Sequence, residues 1–149
     1  MQYCRKRPDA VTRIRGGMEA PRLSGCIHFY QQRGCVLITA RIMGLPRENE
    51  SGFFGFHIHQ GEDCSGTGFS GTGSHYNPAD QIHSKHAGDL PPLLECQGNA
   101  YLSVKTDRFT VKDIIGRTVV IHSDPDDFHS QPAGNAGKKI ACGVIFKGR

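Results

Sequence analysis

Residues 55–89 hold His57, His59, His75, His83 and His86, five of the eight histidines in the chain, and the series ends on Asp89. Neutral imidazole and carboxylate are the oxygen and nitrogen donors that transition metals take from proteins. His57 and His59 alternate with Phe56 and Ile58. In a strand, residues two apart leave the same face, so both imidazoles can reach one ion. His83, His86 and Asp89 follow at equal steps of three. With His75 they make three imidazoles and one carboxylate, a donor set that suits a tetrahedral zinc site. His122 ends an apolar run at residues 117–122, at the rim where strand-borne ligands emerge into loops. The expectation is a metal site built from one strand, one long loop and a second strand.

The elements that must position these side chains are short strands. Runs at 10–15, 23–30, 35–43, 52–60, 99–106, 109–111, 117–122 and 139–146 alternate or are rich in β-branched residues, which predicts eight strands. His28, on the second of them, is expected to be a surface or half-buried strand residue rather than a ligand. Residues 61–74 are rich in Gly, Ser and Thr and read as a loop; Cys64 within it is placed to anchor the loop by a disulfide. Residues 75–89 show neither a period of 2 nor one of 3.6. A bound metal would supply the order that their few apolar side chains cannot. A second long loop spans 123–138 and carries Asp124, Asp126 and Asp127.

Composition narrows the class. The 149 residues suit one domain and a real core, and 19 glycines with 8 prolines favour an all-β chain that turns often. Residues 10–149 are expected to form that domain and residues 1–9 a charged, flexible tail. The expected architecture is a Greek-key flattened barrel or sandwich whose two long loops meet on one side. The net charge of +4 is too diffuse for a nucleic-acid footprint and suits a small anion better. No apolar run approaches the ~20 residues of a membrane span. The start at Met1 has positive charge without an apolar run behind it, so the expectation is a cytoplasmic protein without a secretory signal, although a secreted form trimmed of its leader would read the same. The six cysteines, Cys4, Cys26, Cys35, Cys64, Cys96 and Cys142, contain no Cys-x-x-Cys pair. This argues against a cysteine zinc site and leaves disulfide pairing open.

Five blocks in order resemble the copper/zinc superoxide dismutase family. They are Gly-Phe-His57-Ile-His59, Ser-His75-Tyr-Asn-Pro, His86-Ala-Gly-Asp89-Leu, Ile-Ile-Gly-Arg-Thr-Val-Val-Ile-His122 and Gly-Asn-Ala-Gly-Lys-Lys-Ile-Ala-Cys142-Gly-Val-Ile. The resemblance implies an enzyme that disproportionates superoxide to dioxygen and hydrogen peroxide. It implies copper on His57, His59, His75 and His122, and zinc on His75, His83, His86 and Asp89, with His75 bridging the two and taking part in catalysis. It further implies that Asp126 links His57 to His83, that Cys64 and Cys142 form a disulfide, and that Lys139 stands where the family usually has an anion-guiding arginine. A homodimer is implied as a partner state. The Gly-rich segment after Cys64 is longer than in animal members, so their dimer mode does not carry over.

The chain departs from the family in three further ways. Only two residues separate His83 from His86, so the zinc loop covers less of the site. Lysine at 139 keeps the charge and loses the planar fork of arginine. The loop before Gly134 is cut to His129-Ser-Gln-Pro-Ala; the usual steering charges are largely absent, and His129 is expected to be a surface residue. Two other functions compete on the same fold: a copper-delivery or copper-buffering module without turnover, and a zinc-only structural domain. The complete ligand set disfavours both, because the second would leave His59 and His122 without a task.

Overall fold

The computed structural model describes residues 6–149. Residues 1–5 of the expected tail, Cys4 among them, lie outside the described residues. Lys6 Nζ donates to Asp9 Oδ2 at 2.9 Å, and the Gln31 amide donates to the same oxygen at 2.7 Å.

Alternation builds the first three strands, β1 (Ala10–Gly16), β2 (Ser24–Gln32) and β3 (Cys35–Met43). In β2, Ile27 and Phe29 are fully buried while Cys26, His28 and Tyr30 are half-buried on the other face. The remaining strands are β4 (Phe53–Phe54), β5 (Phe56–His59), β6 (Leu93–Leu94), β7 (Ala100–Thr106), β8 (Thr118–His122) and β9 (Lys139–Lys147). Seven strands form one antiparallel sheet in the order β5-β8-β9-β1-β2-β3-β7, and β4 pairs with β6. The sheet curls into a half-barrel of Greek-key type. A single core runs through it from Ala10 to Ile145, with Phe29, Phe54 and Phe56 among its largest fully buried side chains. Each such side chain contributes about 1.5–3 kcal/mol by leaving water.

Three local readings differ from expectation. The strand expected at 52–60 divides at Gly55. The Gly55 amide donates to Asp124 O and its carbonyl accepts from the His122 amide, and a Cβ there would meet Ala136 Cβ at 2.8 Å. The chain thereby turns from pairing with β6 to pairing with β8. The short strand expected at 109–111 is instead the start of a one-turn helix, α1 (Val111–Ile114). Its entry is held by Asp113, whose Oδ2 accepts from the Thr110 amide at 2.8 Å, so a local capping contact overrides the β-branched run. The Gly-rich stretch 61–74 contains a 3-10 helix, Thr67–Thr72, rather than loop throughout.

Candidate metal centre

Each predicted donor has a structural reason for its position. His57 and His59 lie on β5, which is flanked on one side by β8, and all four of its residues are buried. They share a face as the alternation requires. His122 ends β8 next to a register shift between Ile121 and His122. That irregularity turns the strand end toward β5, and His122 Nε2 lies 3.2 Å from His59 Nε2. His75 joins through isolated bridge pairing with His59, and Asp89 through pairing with His57. The loop that carries the remaining donors is thus stitched to the same strand.

Two groups of four result. In the first, ligand atoms of His57, His59, His75 and His122 lie within 4.8 Å of one another; in the second, so do those of His75, His83, His86 and Asp89. His75 belongs to both. Its Nδ1 faces Asp89 Oδ1 at 2.8 Å and His86 Nδ1 at 3.3 Å. Its Nε2 is buried and has no hydrogen-bond partner; the His57 ring lies tilted against it at a centroid distance of 4.1 Å and the His59 ring edge-on at 4.9 Å.

The donor atoms fit metal ions better than they fit each other. His57 Nδ1, His75 Nε2 and His83 Nδ1 are buried without a hydrogen-bond partner, a costly state for polar atoms unless something else satisfies them. His83 Nδ1 is 3.0 Å from Asp89 Oδ2 yet lacks hydrogen-bond geometry toward it. Lone pairs that converge on a shared point, rather than on each other, produce this pattern. A tetrahedral ion with bonds of about 2.0–2.2 Å separates its ligand atoms by roughly 3.3–3.6 Å. The His59–His122, His75–His86 and His86–Asp89 separations are 3.2, 3.3 and 3.4 Å.

Asp126 orients both groups. Its Oδ2 takes His57 Nε2 and its Oδ1 takes His83 Nε2, each at 2.7 Å. Both rings are thereby fixed with Nδ1 turned inward, one to each group. His59 is fixed from the other end, where its Nδ1 donates to Gly73 O at 2.8 Å. Lys139 Nζ donates to Thr72 Oγ1 and Gly73 O at 2.7 and 2.8 Å. Lys139, His59, His75 and His122 line one cavity of about 530 Å³. The Cys64–Cys142 disulfide ties the loop that bears Gly73 to β9.

The electrostatics follow from burial. Desolvation drives His59 down to about 2 and His122 down to about 3, with neighbouring imidazoles and Lys139 adding to the shift. Burial lowers His57 and His86 as well. These rings are therefore neutral, the form that ligates. Burial pulls Asp126 upward, but hydrogen bonds from His57 and His83 and the Phe128 amide outweigh it and hold the carboxyl ionised well below the usual range. Asp89 is lowered against its own burial by His75 and the other imidazoles around it. Burial also lowers Lys139.

Some supporting residues carry no signal in the sequence. Gln131 Oε1 accepts from the His83 amide and its Nε2 donates to the His83 carbonyl, at 2.8 and 2.7 Å. Arg108 Nη1 donates to the carbonyls of Ser84 and His86 at 2.8 and 3.1 Å. Both brace the loop from segments 22 to 48 residues away, and neither belongs to a ligand pattern. His28 stands on β2, away from both groups, and His129 is exposed, as their contexts predict.

Comparison with known proteins gives a consistent picture. Residues 23–145 match the family model described as copper/zinc superoxide dismutase (SODC). Superoxide dismutase (Cu-Zn) 3 of Arabidopsis thaliana is 35% identical, over 86% of this chain and 94% of the relative. Superoxide dismutase (Cu-Zn) 2 of Aquifex aeolicus is 39% identical, over 74% and 71% respectively. The extracellular superoxide dismutase (Cu-Zn) of Brugia pahangi is 32% identical, over 83% and 69%.

Proposed function

This chain belongs to the copper/zinc superoxide dismutase family, and from that premise we propose how its own residues carry out the reaction. The enzyme is an oxidoreductase with copper and zinc as cofactors. It converts two superoxide anions and two protons to dioxygen and hydrogen peroxide.

His57, His59, His75 and His122 hold copper, and His75, His83, His86 and Asp89 hold zinc. The observation that carries this assignment is the double use of His75, with Nδ1 in one group and a buried, unpartnered Nε2 toward the other. Bound copper supplies one-electron cycling between two oxidation states, which zinc cannot.

The protein's part is binding, orientation and proton handling. An ammonium has three protons to give. Lys139 spends two on Thr72 and Gly73, which leaves one for the anion in the cavity. The same two bonds hold Nζ beside the carbonyl that fixes His59. Nδ1 of His75 is occupied by the Asp89 side, so a proton exchanged by this ring travels through Nε2. Donation from Nε2 would give the incoming anion one of the two protons that peroxide needs, and solvent reaching the cavity would give the other. Asp126 keeps the rings of His57 and His83 from rotating during this exchange.

Three further parts of the reading are proposals too. Residues 10–149 act as the catalytic domain and 1–9 as a tail. Two copies form a homodimer, for which light scattering should return about twice the 16.3 kDa of one chain. The site of action is the cytoplasm; enrichment of the protein in secreted material would overturn this. Among the described residues no helix is long and apolar enough to cross a membrane.

Metal analysis together with a superoxide-consumption assay tests the enzyme. Protein loaded with both metals that fails to accelerate superoxide loss would sink the reading and favour a copper-carrying module. His122→Ala should abolish activity while zinc stays bound; surviving activity would show the copper assignment to be wrong.

A further inference from the structure

Outside the histidine groups, the described residues bring a thiol and an imidazole together on β2. Cys26, His28 and Tyr30 occupy alternate positions on the face opposite the buried Ile27 and Phe29. Cys26 Sγ lies 3.1 Å from His28 Nε2. The other ring nitrogen, His28 Nδ1, lies 3.4 Å from the Tyr30 hydroxyl. A nucleophile, a base within hydrogen-bond reach and a third group against the far side of the base is the arrangement that activated thiols use.

The charge around the sulphur points the same way. The strand register sets Cys26 directly between Arg13 of β1 and Arg41 of β3, at the spacing where cross-strand side chains interact. The Arg41 guanidinium rests 5.1 Å from the Tyr101 ring centroid on β7. Among the described residues, the outward positions of β1, β2, β3 and β7 hold Arg13, Arg15, Arg41 and Lys105 and no carboxylate. Half-exposed, electropositive surroundings with a base at hand are where cysteines react. The other free thiols among the described residues lack this setting. Cys35 Sγ is 3.6 Å from the Gln32 amide oxygen, which is no base, and Cys96 is exposed with no imidazole against it.

We propose that Cys26 and His28 form a peroxide-reactive thiol–imidazole pair, a modification site at which hydrogen peroxide oxidises Cys26 to sulfenic acid. His28 takes the thiol proton, and the sulphur attacks one peroxide oxygen. An S–O bond forms as the O–O bond breaks, and the departing hydroxide recovers the proton from His28 as water. The sulphur is oxidised by two electrons and the peroxide is reduced by two. The proposal rests on the dismutase reading in one respect: the oxidant is the product of that reaction.

The test uses the metal-loaded enzyme at neutral pH with peroxide added from outside, so its failure and a failure of superoxide turnover are separate results. Each cysteine is followed by mass spectrometry during reaction with chloroacetamide, and during reaction with peroxide in the presence of a diketone that traps sulfenic acid. Cys26 should be alkylated about tenfold faster than Cys96 despite its lower exposure, and should carry the first sulfenic adduct. His28→Gln should slow both reactions at Cys26 by about tenfold and leave Cys96 and superoxide turnover unchanged, which also reports an intact fold. A Cys26 rate at or below that of Cys96 overturns the pair. So does alkylation without a sulfenic adduct, or peroxide oxidation of Cys26 that is unaffected by His28→Gln, since that oxidation would not use the imidazole.

Discussion

At the scale of single residues, Lys139 and Gly134 decide the most. Lys139 is the half-buried cation of the cavity, and burial makes its proton easier to lose. Arginine keeps its charge throughout the pH range of proteins and offers a planar fork. Lys139→Arg should therefore raise activity. The gap should widen on alkalinisation, because the lysine charge disappears as pH rises through its lowered pKa and the arginine charge does not. Pulse measurements of superoxide decay from pH 7 to 10, at several salt concentrations, check both statements; equal or lower activity in the arginine variant would contradict them. Gly134 has φ of +71°, and a Cβ there would stand 2.0 Å from Asp126 Oδ1 and 2.6 Å from His83 Nε2. Gly134→Ala should displace the carboxylate that orients His57 and His83, and lower zinc affinity by about 10–100-fold. Competition against a chromogenic chelator would read this, and unchanged zinc retention would count against the orienting role of Asp126.

At the scale of elements, the active site is a junction between a rigid strand pair and loops that are tied to it. β5 is legible in the sequence because histidine alternates with Phe56 and Ile58 along it, and β8 because it is a short unbroken run rich in β-branched residues, as fully buried strands are. The loop between Gly61 and Asp89 has no period, and what holds it lies elsewhere in the chain: Arg108, Gln131 and the disulfide. The bridge between Cys64 and Cys142 spans 78 residues. On a chain-entropy basis, closing a loop of that length stabilises the fold by about 4–5 kcal/mol. Cys64→Ser should lower the melting temperature by on the order of 10 °C. It should also loosen Gly73, the acceptor shared by His59 and Lys139, so activity should fall together with stability. A scanning calorimetry trace that matches the parent would refute this. The helix α1 was not legible for a related reason. Residues 109–111 look like a strand by composition, and only the back-reaching carboxylate of Asp113 makes them the entry to a helical turn.

At the scale of the whole molecule, the fold carries a set of buried imidazoles whose neutrality it enforces. His57, His59 and His122 are held below the ordinary value of about 6.5 by burial. Below that value the unfolded chain binds protons that the folded chain refuses, so stability falls as pH drops through about 6.5 and continues down toward the folded values. Asp126 and Asp89 act in the same direction at lower pH, since their lowered carboxyls lose their contribution as pH falls below about 4. The metal-free protein should therefore melt at a lower temperature at pH 5 than at pH 7. Thermal unfolding with chelator present would check the sign, and a higher melting temperature at pH 5 would reverse the argument.

The sequence by itself determined the all-β class, the cluster of side chains able to bind metal, and the pairing of His57 with His59 on one face. These rest on residue type and on short periods, which act within a few positions of the chain. Residue type and short periods do not place His75 between two groups; the family resemblance implied it, and the tertiary structure sets the ring in both groups. The same holds for Asp126, which reaches His57 and His83 across 69 and 43 residues, and for Lys139, which is tethered to the carbonyl that also holds His59. No local pattern encodes such contacts, because they exist once the loops close over the strands and burial compels every polar atom to find a partner. The histidine-rich stretch announced a metal site; the fold sets its donors in two groups that share His75.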